Sequence, residues 1–199
     1  MTFRRERMAM VFEPRDMMLN AMQPFGDVPI VTVSRNGRWL AIVRRDAPVS
    51  SPSTVSVELR DLESGRTRTT RHPFEPVPLT AQVVDSAVTE LIRPYKQFPW
   101  ARDSIRAKLY RPRFRPPVQA AFVEDGGRVW LRETVPEGTT RTVWRIVEPD
   151  GGVGVRVSVP GGVRVLAAQE NRVLAAVVDA DDVPVLARYL IPATAGGAR

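Results

Sequence analysis

Short apolar runs separated by turn residues recur along the chain and predict antiparallel β-hairpins. The three turns are at Asn36-Gly37, Gly126-Gly127 and Glu170-Asn171. In each case an arginine follows the turn, and a second apolar run follows the arginine. Asn-Gly and Gly-Gly pairs between apolar runs are typical of type I′ turns, in which both central residues have positive φ. In the third turn, Asn171 is the residue that tolerates the left-handed conformation.

Each hairpin continues into two further strands. Residues 54–59 alternate toward a turn ending at Gly65, and residues 143–147 lead to a turn at Gly151, with valines at alternate positions beyond it. Each unit is therefore predicted to be four antiparallel strands joined in chain order, which is the pattern of one β-propeller blade. The second and third hairpin turns, at positions 127 and 171, are 44 residues apart, a normal blade period.

The first and second hairpin turns are too far apart for adjacent blades. Positions 37 and 127 are 90 residues apart, and residues 81–92 between them place apolar side chains at helical spacing. Thr80 is the predicted N-cap, and Pro94 ends this helix. A second, shorter helix is predicted over residues 101–109. The pattern indicates a helical insertion near residues 80–110, between two blades.

The sequence thus predicts an all-β chain of about three four-stranded antiparallel blades, half of a six-bladed propeller, in one partial domain. Its parts are an N-terminal strand remnant (1–24), a blade (25–75), the helical insertion (80–112), a second blade (116–159) and an incomplete third blade (162–191). Residues 7–12 are the free candidate for the outer strand that the third blade lacks. Residues 192–199 have no strand pattern.

The predicted core lies in the strands beside the hairpin turns. The residues expected to be largely buried between blades are Trp39, Leu40, Val129, Trp130 and Trp144.

Five segments, in this order, carry a resemblance to a known family. They are residues 54–61, 76–80, 127–133, 144–149 and 179–190. Over about residues 25–191 the chain resembles the C-terminal half of bacterial six-bladed β-propeller proteins, relatives of the NHL-type and TolB-like propellers. Those proteins are usually about twice this length and usually begin with an export or lipoprotein signal. The resemblance implies an exported or cell-envelope protein without its first three blades, and it implies no specific activity.

Composition and charge exclude several classes of function. The chain has no cysteine, which rules out disulfides, thiol catalysis and cysteine-based zinc sites. The net charge of +7 comes almost entirely from arginine, since Lys96 and Lys108 are the two lysines, and acidic residues are spread among the basic ones. A nucleic-acid interface needs clustered charge, so none is expected. No apolar segment follows the basic N-terminus, so neither a signal peptide nor a membrane span is expected. The sequence does not identify the cellular compartment of the protein.

The residues that could carry chemistry favour structural roles. His72, the one histidine, precedes Pro73 and is expected to be a loop residue at a strand end. The acidic cluster Asp179, Asp181 and Asp182 lacks the turn glycine of a calcium loop and is predicted to be a polar turn. Glycine-rich residues 151–154 are predicted to be a β-turn. No catalytic, cofactor-binding or metal site is therefore predicted, and no cofactor.

Two features are candidate partner contacts. Arg111, Arg113, Phe114 and Arg115 interleave basic and aromatic side chains, which could contact phosphate, an acidic partner or a lipid headgroup. The alternative is a solvated linker into the next blade. Trp100 lies in the helical insertion, where exposure would make it a second contact.

Three hypotheses for function follow. The first is a non-enzymatic binding or scaffold module whose ligand is an unidentified protein or small molecule. The second is a propeller-type lyase or hydrolase, or a subunit of one, with its catalytic residues in the missing half. The third is a gene fragment without independent function. The inner strands at 31–33, 120–123 and 163–167 are apolar, which favours binding over catalysis. Self-association is also expected, through an apolar face to which Val163, Val165, Leu174 and Val177 contribute.

Overall fold

The computed structural model describes residues 9–12, 19–45, 53–178 and 183–191. This part of the chain is mostly β, as predicted, with three antiparallel sheets of three or four strands and two helices.

A separate two-stranded pair consists of β1 (Ala9–Phe12) and β2 (Leu19–Met22). The first sheet consists of β3 (Ile30–Val33), β4 (Trp39–Arg44), β5 (Ser53–Asp61) and β6 (Thr67–Phe74). The second consists of β7 (Val118–Val123), β8 (Val129–Glu133), β9 (Arg141–Val147) and β10 (Val153–Pro160), and the third of β11 (Arg164–Gln169), β12 (Arg172–Val178) and β13 (Pro184–Leu190).

Within each of these three sheets the strands are neighbours in chain order. Each tight turn places a strand directly beside the one before it, so only antiparallel neighbours form. The third sheet has three strands in the described part of the chain. Residues 9–12 do not complete it, because β1 pairs with β2. Positions 7 and 8, the acidic cluster Asp179, Asp181 and Asp182, and the tail 192–199 lie outside the described residues.

The sheets pack face to face, with the second sheet in the middle. Val129 and Leu131 of β8 are in the core shared with the first sheet. Trp130, between them, is in the core shared with the third sheet, because successive side chains of a strand point to opposite faces. The second sheet is therefore covered on both faces.

The prediction of core residues is confirmed for the second sheet and only in part for the first. Trp130 and Val129 are fully buried, and Trp144 is 5% exposed. Trp39 and Leu40 are only half-buried. Leu40 points away from the second sheet, since its neighbour Ala41 faces that sheet.

The apolar side chains that the third sheet exposes are only partly the ones predicted. Leu174 is 40% exposed, as expected for a face without a neighbour. Val163, Val165 and Val177 are half-buried, because they lie on the side of the sheet that faces the second sheet. The more exposed apolar residues are Val178, Leu186 and Leu190, on the same face as Leu174.

The hairpin turns are not of type I′. In the first two turns, φ is positive at Gly37 (74°) and at Gly127 (85°). The residue before each glycine does not have positive φ, although a type I′ turn requires it. The amide of Gly37 donates to the Ser34 carbonyl (2.9 Å), and that of Ser34 donates to the Trp39 carbonyl (2.8 Å). This pattern is a type I turn followed by a left-handed residue, which forms a G1 bulge. In the third turn the left-handed residue is Glu170 (φ 55°) rather than Asn171.

Gly127 is required at its position for two reasons. Its φ is positive, and a Cβ there would lie 2.9 Å from Cε2 of Trp39 in the neighbouring sheet. We expect Gly37→Ala to lower the free energy of unfolding by about 1–2 kcal/mol, because that site has positive φ but open space. Gly127→Ala should exceed it by about 1 kcal/mol or more, since Trp39 must also move. Gly126→Ala, with neither feature, is the control and should stay within about 0.5 kcal/mol of wild type in urea denaturation. If Gly37→Ala and Gly127→Ala lowered the free energy of unfolding equally, the close approach of Trp39 to Gly127 would be contradicted.

The helical insertion follows the predicted boundaries closely. Helix α1 spans Ala81–Ile92, and the Thr80 hydroxyl accepts a hydrogen bond from the Val83 amide, which confirms the N-cap. A turn of 3-10 helix (Arg93–Tyr95) follows, and α2 spans Pro99–Lys108, beginning two residues before the predicted start. The two helices share a small core of their own, with Phe25, Val84, Val88, Ala101, Ile105 and Leu109 buried. None of the helices in the described ranges is long and apolar enough to cross a membrane.

Candidate functional site: a groove shared by three sheets

The first strands of the three large sheets lie along one groove. Its volume is about 450 Å³. β3 contacts β7 directly, and β11 lies on the far side. The lining residues include Val33, Arg35, Phe122, Asp125, Leu166 and Arg172. Three segments widely spaced in sequence therefore meet at one surface.

Hydrogen bonds between successive hairpin turns fix one end of this groove. The Asn36 amide donates to Oδ1 of Asp125 (2.9 Å), and the Asn36 side chain donates to the Asp125 carbonyl (3.3 Å). Arg128, beyond the second turn, donates to the carbonyl of Glu170 in the third (2.7 Å). Each turn is thus tied to the next, which holds the three sheets at fixed spacing around the groove.

Glu124 is a buried carboxyl beside the groove. Its Oε1 accepts a hydrogen bond from Nε1 of Trp130 (2.5 Å), and its Oε2 accepts one from the Glu170 amide (3.2 Å). Burial raises the pKa of Glu124, and the hydrogen bond from Trp130 opposes that shift. Because both oxygens are engaged within the protein, Glu124 positions the second and third turns. No local sequence pattern indicates this role, since the burial of Glu124 depends on the third turn packing over it.

The groove combines apolar surface with guanidinium groups. Val33 is 52% exposed and Leu166 is 41% exposed, and Arg35 and Arg172 lie beside them. Of the described residues that line the groove, none carries a hydroxyl, thiol or imidazole. Such a surface is suited to non-covalent binding of a ligand with an apolar body and an acidic group.

The contacts predicted from the sequence lie elsewhere. Trp100 is half-buried against the helical core, with its ring 5.9 Å from that of Phe98. Arg111 and Arg113 are exposed, and the Arg113 guanidinium lies 5.1 Å from the ring centroid of Phe114. Neither Trp100 nor this basic segment lines the groove.

The basic segment is not a free linker. The amide of Arg115 donates to the Val77 carbonyl (2.8 Å), and the carbonyl of Arg113 accepts from the Leu79 amide (3.2 Å). Phe114 also forms a β-bridge with Pro78. The segment is therefore held against the chain that precedes α1, and a role for it in partner contact remains a prediction.

His72 lies within β6 rather than in a loop. It is 2% exposed, and its Nε2 is 2.8 Å from the Thr70 hydroxyl. Burial and the positive charge of Arg145 lower the pKa of His72. The neutral imidazole is thereby favoured, as expected for a side chain between two sheets.

Comparisons of the chain with protein-family models, with curated proteins and with solved structures give no match.

Proposed function

We propose that the chain is a non-enzymatic binding module of the β-propeller type and that the groove is its ligand site. One observation carries the proposal: the first strand of each of the three large sheets lines the same groove. In a propeller, four-stranded sheets surround a central channel. Face-to-face packing of sheets whose strands follow chain order fits that arrangement.

The chemistry of the groove indicates the ligand's character. Leu166 and Val33 offer exposed apolar surface, while Arg35, Arg172 and Arg188 offer guanidinium groups that match carboxylate or phosphate. We infer a ligand with an apolar body and an acidic group, either a small molecule or an extended segment of a partner protein. The enzymatic alternative would have to use the carboxyl groups of Glu124 and Asp125, both of which are already engaged in hydrogen bonds between turns.

An anionic aromatic probe tests the site. Anilinonaphthalene sulfonate, which has an apolar body and one sulfonate, should bind with saturable fluorescence enhancement. Leu166→Gln and Arg172→Gln should each weaken this binding about fivefold to tenfold, because each removes one of the two kinds of contact. Leu186→Gln is the matched control, since Leu186 is 71% exposed on β13 and does not line the groove. Leu174 and Arg188 line the groove from the same face of the third sheet as Leu186, so equal weakening by the variants at 166 and 186 would place the probe farther along that face and refute the groove as the site.

A further inference from the structure

A second pocket lies at the end of the sheets opposite the hairpin turns. Its volume is about 270 Å³, and three arginines line it: Arg45 directly after β4, Arg115 just before β7, and Arg132 near the end of β8. Phe25 and Pro116 provide apolar surface, and Gln119 and Thr134 are polar neighbours. The pocket thus joins the ends of the first and second sheets.

One donor of the Arg132 guanidinium is left unpaired. Its Nε is buried and has no hydrogen-bond partner. A buried polar group without a partner is destabilising, and native proteins rarely leave one unpaired unless a ligand or an ordered water satisfies it. An acceptor inside the pocket would satisfy it.

The other two arginines hold neutral partners. Arg45 donates to the carbonyls of Val28 and Val118 (2.9 Å each), and Arg115 donates to the Val135 carbonyl (3.3 Å). These bonds orient both guanidinium groups. Each group has five N–H donors, and most of them stay available. Backbone carbonyls neutralise no charge, so any compensation of these positive charges has to come from nearby carboxylates.

The charge balance of the pocket favours an anion. Burial lowers the pKa of Arg45 and of Arg115, which means that their positive charges are poorly solvated there. The carboxylates of Asp27 and Glu137 offset this effect for Arg45 and Arg115 respectively. None of the ion pairs found between described residues involves Arg132 or Arg115. The uncompensated charge is therefore that of Arg132.

We propose that this pocket binds a small organic anion, whose carboxylate or phosphate is held by Arg132 together with Arg45 and Arg115. Planar guanidinium groups recognise both oxyanions through paired N–H donors. The apolar part of the ligand lies against Phe25, and the size of the pocket limits the ligand to a small molecule. The site is separate from the groove, so it does not depend on the function proposed above.

Calorimetric titration of the full chain tests the proposal. The probes are inorganic phosphate, phenyl phosphate and benzoate, each at constant ionic strength set with chloride. We expect saturable one-to-one binding of at least one aromatic probe. Preference for phenyl phosphate or for benzoate identifies the oxyanion as phosphate or carboxylate. Absence of saturable binding by all three probes would overturn the proposal.

Three variants locate the site. Arg132→Gln should weaken binding at least tenfold without lowering the thermal midpoint of the free protein, because the buried Nε of Arg132 has no hydrogen bond to lose. Arg115→Lys keeps the charge but loses the paired donors, and should weaken binding severalfold. Arg102→Gln, on the exposed surface of α2, should bind like wild type. Wild-type affinity in Arg132→Gln would show that the probes bind elsewhere and would refute the proposal.

Discussion

Replacing Trp130 with alanine is expected to lower the free energy of unfolding by about 3–5 kcal/mol. Trp130 is fully buried between the second and third sheets, with its ring centroid 5.4 Å from that of Phe122 and 6.1 Å from that of Trp144. Truncation would open a cavity in this cluster and would also leave Oε1 of Glu124 without its donor. Urea denaturation measures the loss.

A matched pair of substitutions separates packing from hydrogen bonding. Trp130→Phe keeps an aromatic ring but removes the hydrogen-bond donor to Glu124. It should lower the free energy of unfolding by about 1–3 kcal/mol more than the smaller ring would by itself. Trp144→Phe serves as the control, because Nε1 of Trp144 is buried without a partner and its removal abandons no hydrogen bond. Equal losses for the two phenylalanine variants would show that the bond to Glu124 contributes nothing to stability.

Replacing Glu133 with alanine is expected to have an effect of similar size, about 3–5 kcal/mol. Glu133 is 7% exposed and accepts hydrogen bonds from Arg145 (2.7 Å) and Arg156. Arg145 also donates to the Pro73 carbonyl (2.7 Å), and its guanidinium lies 3.9 Å from the ring centroid of Phe74 in the first sheet. Without Glu133, the charge of Arg145 would stay enclosed between two sheets with no counter-ion.

Two comparisons make the Glu133 prediction specific. Glu63→Ala breaks an exposed pair with Arg38 and should cost less than about 1 kcal/mol, because solvent screens that pair. The double variant Glu133→Leu/Arg145→Met removes both charges, so it should lose less stability than Glu133→Ala does alone. A double variant less stable than Glu133→Ala would mean that Arg145 contributes through its contacts with Phe74 and Pro73 rather than through the ion pair.

Local signals were sufficient to predict the strand order and the first helix. Glycines at 65 and 151 mark the second turn of each four-stranded sheet, and both have positive φ in the structure. Thr80 and Pro94 bracket α1 closely, since capping and proline act within one turn of a helix. These features depend on neighbours in sequence, and a single chain displays them directly.

The turn type and the half-buried positions depended on distant residues. Asn36-Gly37 fits both a two-residue type I′ loop and a type I turn with a bulge, and the pairing of Ser34 with Trp39 decides between them. Trp39 and Leu40 have the apolar pattern of a core strand. The exposure of Leu40 follows from the first sheet having a large sheet on one side only among the described residues, which no local pattern reveals, whereas Trp39 lies on the covered side at its edge, beside Gly127.

The candidate sites were harder still to predict. The sequence pattern groups Arg115 with its neighbours Arg113 and Phe114. In the structure, Arg115 instead lines a pocket together with Arg45 and Arg132. Those three residues are brought together only by the packing of the first sheet against the second. The groove between the sheets has the same origin, because its lining comes from three different strands.

The central position of the second sheet also sets the order in which the backbone becomes accessible to water. Amide protons of β8 and β9 can exchange with solvent only after a neighbouring sheet has separated, because both faces of their sheet are covered. The third sheet has two buried side chains in its described part, Val173 and Ala175, and its outer face is open. The core that it shares with the second sheet has fewer buried residues than the core between the first and second sheets, so β11 to β13 form the unit that opens first. Protection against exchange therefore rises from the third sheet toward the second, and β8 is among the last strands to lose its protons.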